Sequence, residues 1–207
     1  MRQRPDPLRQ DGISRRSVLL TAAAGAAAMM QILPQAQAAP AIPAEVAAAI
    51  ADARLSGSGD FRYFGFLVYR ATLWVGPQGL GAELGDAPFA LQLHYARSLT
   101  GVDIAARSEE EMRKLGEGTP QQRTVWLEAM RQVFPDVQDG STLTGVFTPG
   151  NASPAQTRFY FNGTPRGTVP GVAFGRAFFS IWLSPQTTAP GLRNDLLAKA
   201  MTPASTP

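Results

Sequence analysis

The sequence predicts an α+β domain: an antiparallel β-sheet with a layer of helices on one face. Three observations carry this expectation. Strand-like segments fall in neighbouring pairs, one across a long loop and one across an Asn-Gly turn. Helix-like segments come in blocks between and after these pairs, not in one-for-one alternation with strands, which favours α+β over a parallel α/β sheet. The stretch Val172 to Leu183 is an apolar helix able to cover a sheet face.

Each element has its own signal. Residues 39–43 read as a linker and Ala44 to Ala53 as a short helix rich in alanine, the best helix former; the glycines between Leu55 and Gly59 break it. Phe61 to Val75 is dense in aromatic and β-branched residues and reads as one strand. Both its faces are apolar, so it is expected to be covered on both sides. Gly76 to Asp86 is a glycine-rich loop. Phe89 to Arg97 is the second strand, with Phe89, Leu91, Leu93 and Tyr95 on one face and Gln92 and His94 on the other. Ser108 with Glu111 three residues later reads as a helix-opening capping box. Thr119, Pro120 and Gln122 repeat that logic with proline at the first helical position, and Pro135 stops that helix. Thr142 to Thr148 and Gln156 to Phe161 are further strands. Asn162-Gly163 turns the chain, because both residues tolerate positive φ, into a returning strand from Thr164 to Val169. Pro190 opens a last short helix reaching about Met201.

The N-terminus has the three parts of an export leader. Met1 to Arg16 is polar and basic, Ser17 to Met30 is a mild apolar run, and Pro34 to Ala39 is a small-residue stretch. The run from Ser14 to Leu20 is similar to the twin-arginine export motif, with Arg15 and Arg16 as the pair and Val18 where phenylalanine is usual. Ala36 and Ala38 fit the minus-three and minus-one positions, so cleavage is expected after Ala38. The apolar run is too short and too rich in alanine and glycine for a spanning helix of roughly 20 apolar residues. The expected organisation is therefore a signal peptide over 1–38, a linker and short helix over 39–54, the main domain over 55–201 and a disordered tail over 202–207. The expected location is periplasmic or secreted, with the twin-arginine machinery as partner and no membrane anchor after cleavage.

Composition excludes several function classes. The chain holds 19 Lys+Arg and 16 Asp+Glu, and the leader contributes five and two of these, which leaves the remainder with equal numbers. No electrostatic case for nucleic-acid binding or a polybasic anchor survives. There is no cysteine and a single histidine, His94. Thiol chemistry, disulfides and a two-histidine metal site are out. No Gly-x-Ser-x-Gly elbow and no phosphate loop is present, and no cofactor is expected.

Several segments together resemble the chalcone isomerase-like proteins of bacteria. They are Gly57-Ser-Gly59, the run from Phe64 to Trp74, Phe89 to Tyr95, Trp126 with Phe134-Pro-Asp-Val137 and Gly140, Phe159 to Gly163, and Ala177 to Leu183 with Thr187. The resemblance spans roughly Leu55 to Leu197. It implies a ligand cleft between an antiparallel sheet and its helices. Plant members of the family close a chalcone ring, and other members of the fold bind fatty acids without catalysis, so fold alone does not assign chemistry.

The resemblance also implies site residues. The family's arginine follows a Gly-x-Gly-x on the first strand; here Arg62 arrives one residue late, and a one-residue slip reverses the strand face unless a bulge corrects it. Tyr69 sits in the matching Val-Tyr pair. Tyr95 points with Leu91 and Leu93, and Thr187 follows the C-terminal helix. Arg62, Tyr69, Tyr95 and Thr187 are thus the expected ligand-binding residues, while His94, Arg158 and Tyr160 read as solvent-facing. The leading expectation is a binder of a small apolar acid such as a fatty acid. An intramolecular lyase or isomerase acting on an enone, and a ligand-free interaction module, are the alternatives.

Overall fold

A computed structural model describes residues 40–150 and 154–200. The segments expected to be a signal peptide (1–38) and a disordered tail (202–207) lie outside the described residues. Six strands form one antiparallel sheet in sequence order: β1 (Arg54–Tyr63), β2 (Phe66–Val75), β3 (Phe89–Tyr95), β4 (Thr142–Thr148), β5 (Gln156–Phe161) and β6 (Thr164–Pro170). Four helices, α2 (Gly101–Lys114), α3 (Pro120–Val133), α4 (Val172–Leu183) and α5 (Pro190–Leu196), pack with one face of the sheet into the main core. The short α1 (Ala44–Ala49) lies on the opposite face. There Val46 and Ile50 cover Trp74, Ala90 and Val146, and Thr144 Oγ1 donates to Glu45 Oε1 at 2.9 Å. Of the second face of β2 this covers only the Trp74 end; Thr72 and the exposed Arg70 share that face, so β2 is apolar on both sides only near its C-terminal end.

The main core is aromatic. Phe178 of α4 sits among Phe134, Phe159, Phe174, Phe179 and Trp182, with ring centroids 5.1–5.9 Å apart, mostly edge-to-face. Such pairs add about 0.5–1.5 kcal/mol each beyond area burial, so α4 is fixed firmly over the middle strands. At the β1 edge, Gly57 and Gly59 have no side chain because α5 lies directly on them. A Cβ on Gly57 would overlap the carbonyl oxygen of Asp195.

The structure corrects several expectations. Phe61 to Val75 is not one strand but two, reversed at Phe64-Gly65, whose φ values of 47° and 82° define a type I′ hairpin turn. The segment Leu55–Gly59 is part of β1, not a break, and α1 ends at Ala49. Ser108 and Glu111 do not open a helix: α2 begins at Gly101, capped by Thr100, whose hydroxyl accepts from Asp103 N at 3.1 Å. Ser108 is mid-helix and donates back to Ile104 O at 2.8 Å. The last helix ends at Leu196, before Met201. The box at Thr119 and Gln122 does open α3, with both reciprocal hydrogen bonds formed.

Candidate functional site

Between the β1–β4 end of the sheet and helices α2 and α4 lies a half-open cavity of about 350 Å³. Its volume falls at the small end of the roughly 300–1,000 Å³ range of ligand pockets. The sheet supplies the floor. Phe61, Tyr69, Tyr95 and Leu143 lie in register across four successive strands or nearly so: Phe61 pairs with Tyr69 and Tyr69 with Tyr95. Strand alternation explains the set, because Phe61 and Tyr63 share one face of β1 while Asp60 and Arg62 share the other. A bulge opposite Phe61 and Arg62 leaves Val68 of β2 as the extra residue, and Val68 also reaches the cavity.

The roof comes from α2 through Ile104 and Ser108, from α4 through Phe178, Ile181 and Trp182, and from the α4–α5 connection through Thr188. Tyr69 is fixed from both sides. Phe61 stacks on it with centroids 5.0 Å apart, and Trp182 Nε1 donates to its hydroxyl at 2.9 Å. Tyr95 is only 2% exposed and meets Tyr69 edge-on at 5.8 Å. Burial holds both phenols well above the ordinary tyrosine value; the Trp182 hydrogen bond works against this at Tyr69, and the Tyr69 phenol adds to it at Tyr95. Both are therefore neutral donors at physiological pH. Among the described residues no side chain hydrogen-bonds the Tyr95 hydroxyl, and Tyr95 lines the cavity, where its hydroxyl can meet a ligand.

Charge sits at one rim. Glu111 is 5% exposed, and its carboxylate is fully engaged: Arg107 Nη2 at 2.7 Å, Lys114 Nζ at 3.1 Å and Thr188 Oγ1 at 2.9 Å. Arg107 also holds Glu110 at 2.9 Å. Arg97, just past β3, lines the cavity, is exposed and has no ion-pair partner among the described residues. It is the free cation of the site. Among the described residues no cluster of acidic residues and histidine is arranged to hold a metal.

The expected site residues divide. Tyr69 and Tyr95 come together in the cavity wall. Arg62 does not: it stands on the opposite face of β1, where it and Arg70 share the carboxylate of Asp60 at 3.4 and 2.8 Å. β1 carries its own extra residue at Ser56, before Gly57, and the second irregularity falls on β2 at Val68; from Gly57 onward β1 alternates unbroken, so Gly59 and Phe61 face inward and Arg62 outward. Thr187 is also outside the lining. It is a turn residue, donating to Ile181 O at 2.6 Å and accepting from Ala189 N at 3.2 Å, while its neighbour Thr188 reaches the cavity. Sequence reasoning missed Arg97, Arg107 and Thr188. For Arg107 a signal existed: the cap Thr100 with Asp103 would have placed Arg107 and Glu111 one turn apart on α2.

The chalcone isomerase-like family matches residues 35–198. The chain belongs to that family. An uncharacterized protein of Haemophilus influenzae is 29% identical over 150 residues, covering 69% of this chain and 67% of its own. The crystal structure of an Arabidopsis thaliana fatty-acid binding protein superposes with a TM-score of 0.57 at 16% identity, over 72% of this chain and 89% of that one. At that identity the likeness establishes a shared chalcone isomerase-like fold, and the cavity described above lies in this chain between the sheet and helices of that fold.

Proposed function

We propose that this chalcone isomerase-like protein is an exported binding protein for a small apolar acid, of fatty-acid type, held in the cleft between sheet and helices. One observation carries the reading: a half-open, aromatic and aliphatic cavity of about 350 Å³ whose rim holds Arg97, an arginine without an ion-pair partner among the described residues, and whose wall holds the neutral Tyr95 hydroxyl. An apolar tail fills such a space, and a carboxylate takes a charge-assisted hydrogen bond from the guanidinium and one from the phenol. The fatty-acid binding protein of the same fold supports the ligand class. The isomerase alternative relied on Arg62 for the substrate phenolate, and Arg62 faces away from the cavity. The interaction-module alternative has no use for the cavity.

Calorimetric titration of the delipidated protein with saturated fatty acids of increasing length tests the ligand reading. Each methylene that enters the cavity contributes about 0.8 kcal/mol, so affinity rises about fourfold per carbon until the space is full and then levels. Arg97→Ala lowers affinity about tenfold for the acid and leaves the matching alcohol unaffected. Affinity flat in chain length, or equal losses for acid and alcohol, would sink the reading. Export is supported by the basic, apolar and small-residue order of the leader. Arg15→Lys together with Arg16→Lys should retain the protein inside the cell, and the exported form should begin at Ala39 by mass.

A further inference from the structure

The large apolar side chains at the β1–β2 turn are exposed without a role in the fold. Tyr63 is 52%, Phe64 83% and Phe66 69% exposed, so half of the strongly exposed large apolar residues among those described fall within four positions. Phe64 holds the left-handed conformation, with φ at 47°, at a turn position that favours asparagine or glycine. The second hairpin of the sheet makes the same turn with Asn162 and Gly163, at φ values of 48° and 77°. The local fold thus disfavours phenylalanine here, and the ring touches little beyond the edge of Tyr63.

The tip adjoins the cavity mouth. Phe61 and Tyr63 line the cavity, and so do Asp103 and Ile104, next to the exposed Val102 in the first turn of α2. The surrounding side chains leave a single net positive charge, five cations (Arg62, Arg70, Arg97, Arg107 and Lys114) against four carboxylates (Asp60, Asp103, Glu110 and Glu111). Arg62 and Arg70 share one carboxylate, and Arg97 has no ion-pair partner among the described residues. Of the acids nearby, Glu110 and Glu111 are held by Arg107 and Lys114, while Asp103 accepts from the neutral Thr100 hydroxyl and keeps its negative charge at the mouth.

We propose that the β1–β2 tip is a docking element that inserts Phe64 and Phe66 into the interfacial region of an anionic lipid bilayer, and so seats the cavity mouth on the membrane. Aromatic side chains favour the headgroup boundary, and arginines beside them extend toward lipid phosphates. The exposed parts of Tyr63, Phe64 and Phe66 together offer roughly 400 Å² of aromatic surface, taking about 200 Å² for a fully exposed ring. This is about half of the ~800 Å² per side that a stable protein partner needs, whereas a bilayer needs only that the rings enter it. A bilayer is also where free apolar acids partition. That last point rests on the ligand reading above; the docking argument does not.

The test is flotation of the protein, expressed with its own leader and its N-terminus fixed by mass measurement, with vesicles of phosphatidylglycerol and phosphatidylethanolamine. Phosphatidylcholine vesicles serve as the zwitterionic comparison. Variants are Phe64→Asn, Phe66→Thr and the pair, each sharing whatever leader the parent retains. The parent should float with anionic vesicles, less with phosphatidylcholine and less at high salt. Each phenylalanine removed should weaken partitioning about tenfold, with the fold intact by circular dichroism and solution affinity for fatty acid unchanged. A parent that does not float, or a double variant that floats equally, overturns the proposal. So does a concentration-dependent dimer lost in Phe64→Asn, because the tip would then be a contact between copies. Flotation by the parent without fatty-acid affinity leaves docking standing and removes the ligand reading; affinity without flotation does the reverse.

Discussion

Replacing Phe64 with asparagine should stabilise the protein, although it removes the largest side chain of the turn. Two effects oppose each other. A bulky L-residue in the left-handed region costs about 1–2 kcal/mol, and asparagine pays only part of that. Phe64 has φ at 47° and gains nothing from burial, being 83% exposed. Its edge contact with Tyr63, centroids 4.5 Å apart, opposes the change. Aromatic pairs are worth about 0.5–1.5 kcal/mol when packed, and with Tyr63 also half exposed the lower end applies. The balance favours Phe64→Asn by about 0.5–1 kcal/mol, or roughly 2 °C in Tm for a domain of this size. The reciprocal change, Asn162→Phe, should cost more than the first gains. It imposes the same strain and also removes Asn162 Oδ1, which accepts from Thr142 N at 2.8 Å; the expected loss is about 1–3 kcal/mol. Urea unfolding followed by circular dichroism measures both. A lowered midpoint for Phe64→Asn would show that the Tyr63 contact outweighs the backbone strain and would refute the reasoning.

Two further changes probe the frame around the site. Gly57→Ala should destabilise by about 3 kcal/mol or more, because its Cβ meets backbone, the carbonyl of Asp195, which cannot turn aside; faster hydrogen exchange confined to α5 and β1 would identify the cause. Tyr69 and Tyr95 are held neutral above their unfolded value near 10. The stability they contribute is therefore fully present below pH ~10 and is lost as pH rises toward their folded values. In a tyrosinate absorbance titration, two of the four tyrosines should ionise only as the protein unfolds, and smooth titration of all four in the folded protein would contradict the burial described.

Much of the fold is readable in the chain because local chemistry and global need agree there. Asn162-Gly163 announces its turn, Thr119-Pro120 with Gln122 announces α3, and the alternation of β3 puts Leu93 and Tyr95 on the helix side and His94 on the solvent side. The first hairpin is hidden because its turn uses Phe64, an element of a strand pattern, where asparagine would have marked a reversal. The start of α2 is hidden because Ser108 and Glu111 share the three-residue spacing of a capping box with any helix face, while the true cap, Thr100 with Asp103, sits eight residues earlier. The site is harder still. Whether Arg62 or Phe61 faces the cleft depends on which residue of the β1–β2 pair is extra, and a bulge at Val68 leaves no mark in composition. Arg97, Arg107 and Thr188 meet only through the packing of α2 and the α4–α5 connection over β3, contacts distant in sequence.

Native mass spectrometry of the protein purified from cells expressing the full chain tests the central claim most directly. The account predicts an added mass, released on denaturation and identified as a small apolar acid, that is lost or much reduced in Arg97→Ala. A bare protein that also fails to take up fatty acid when offered it would contradict the account.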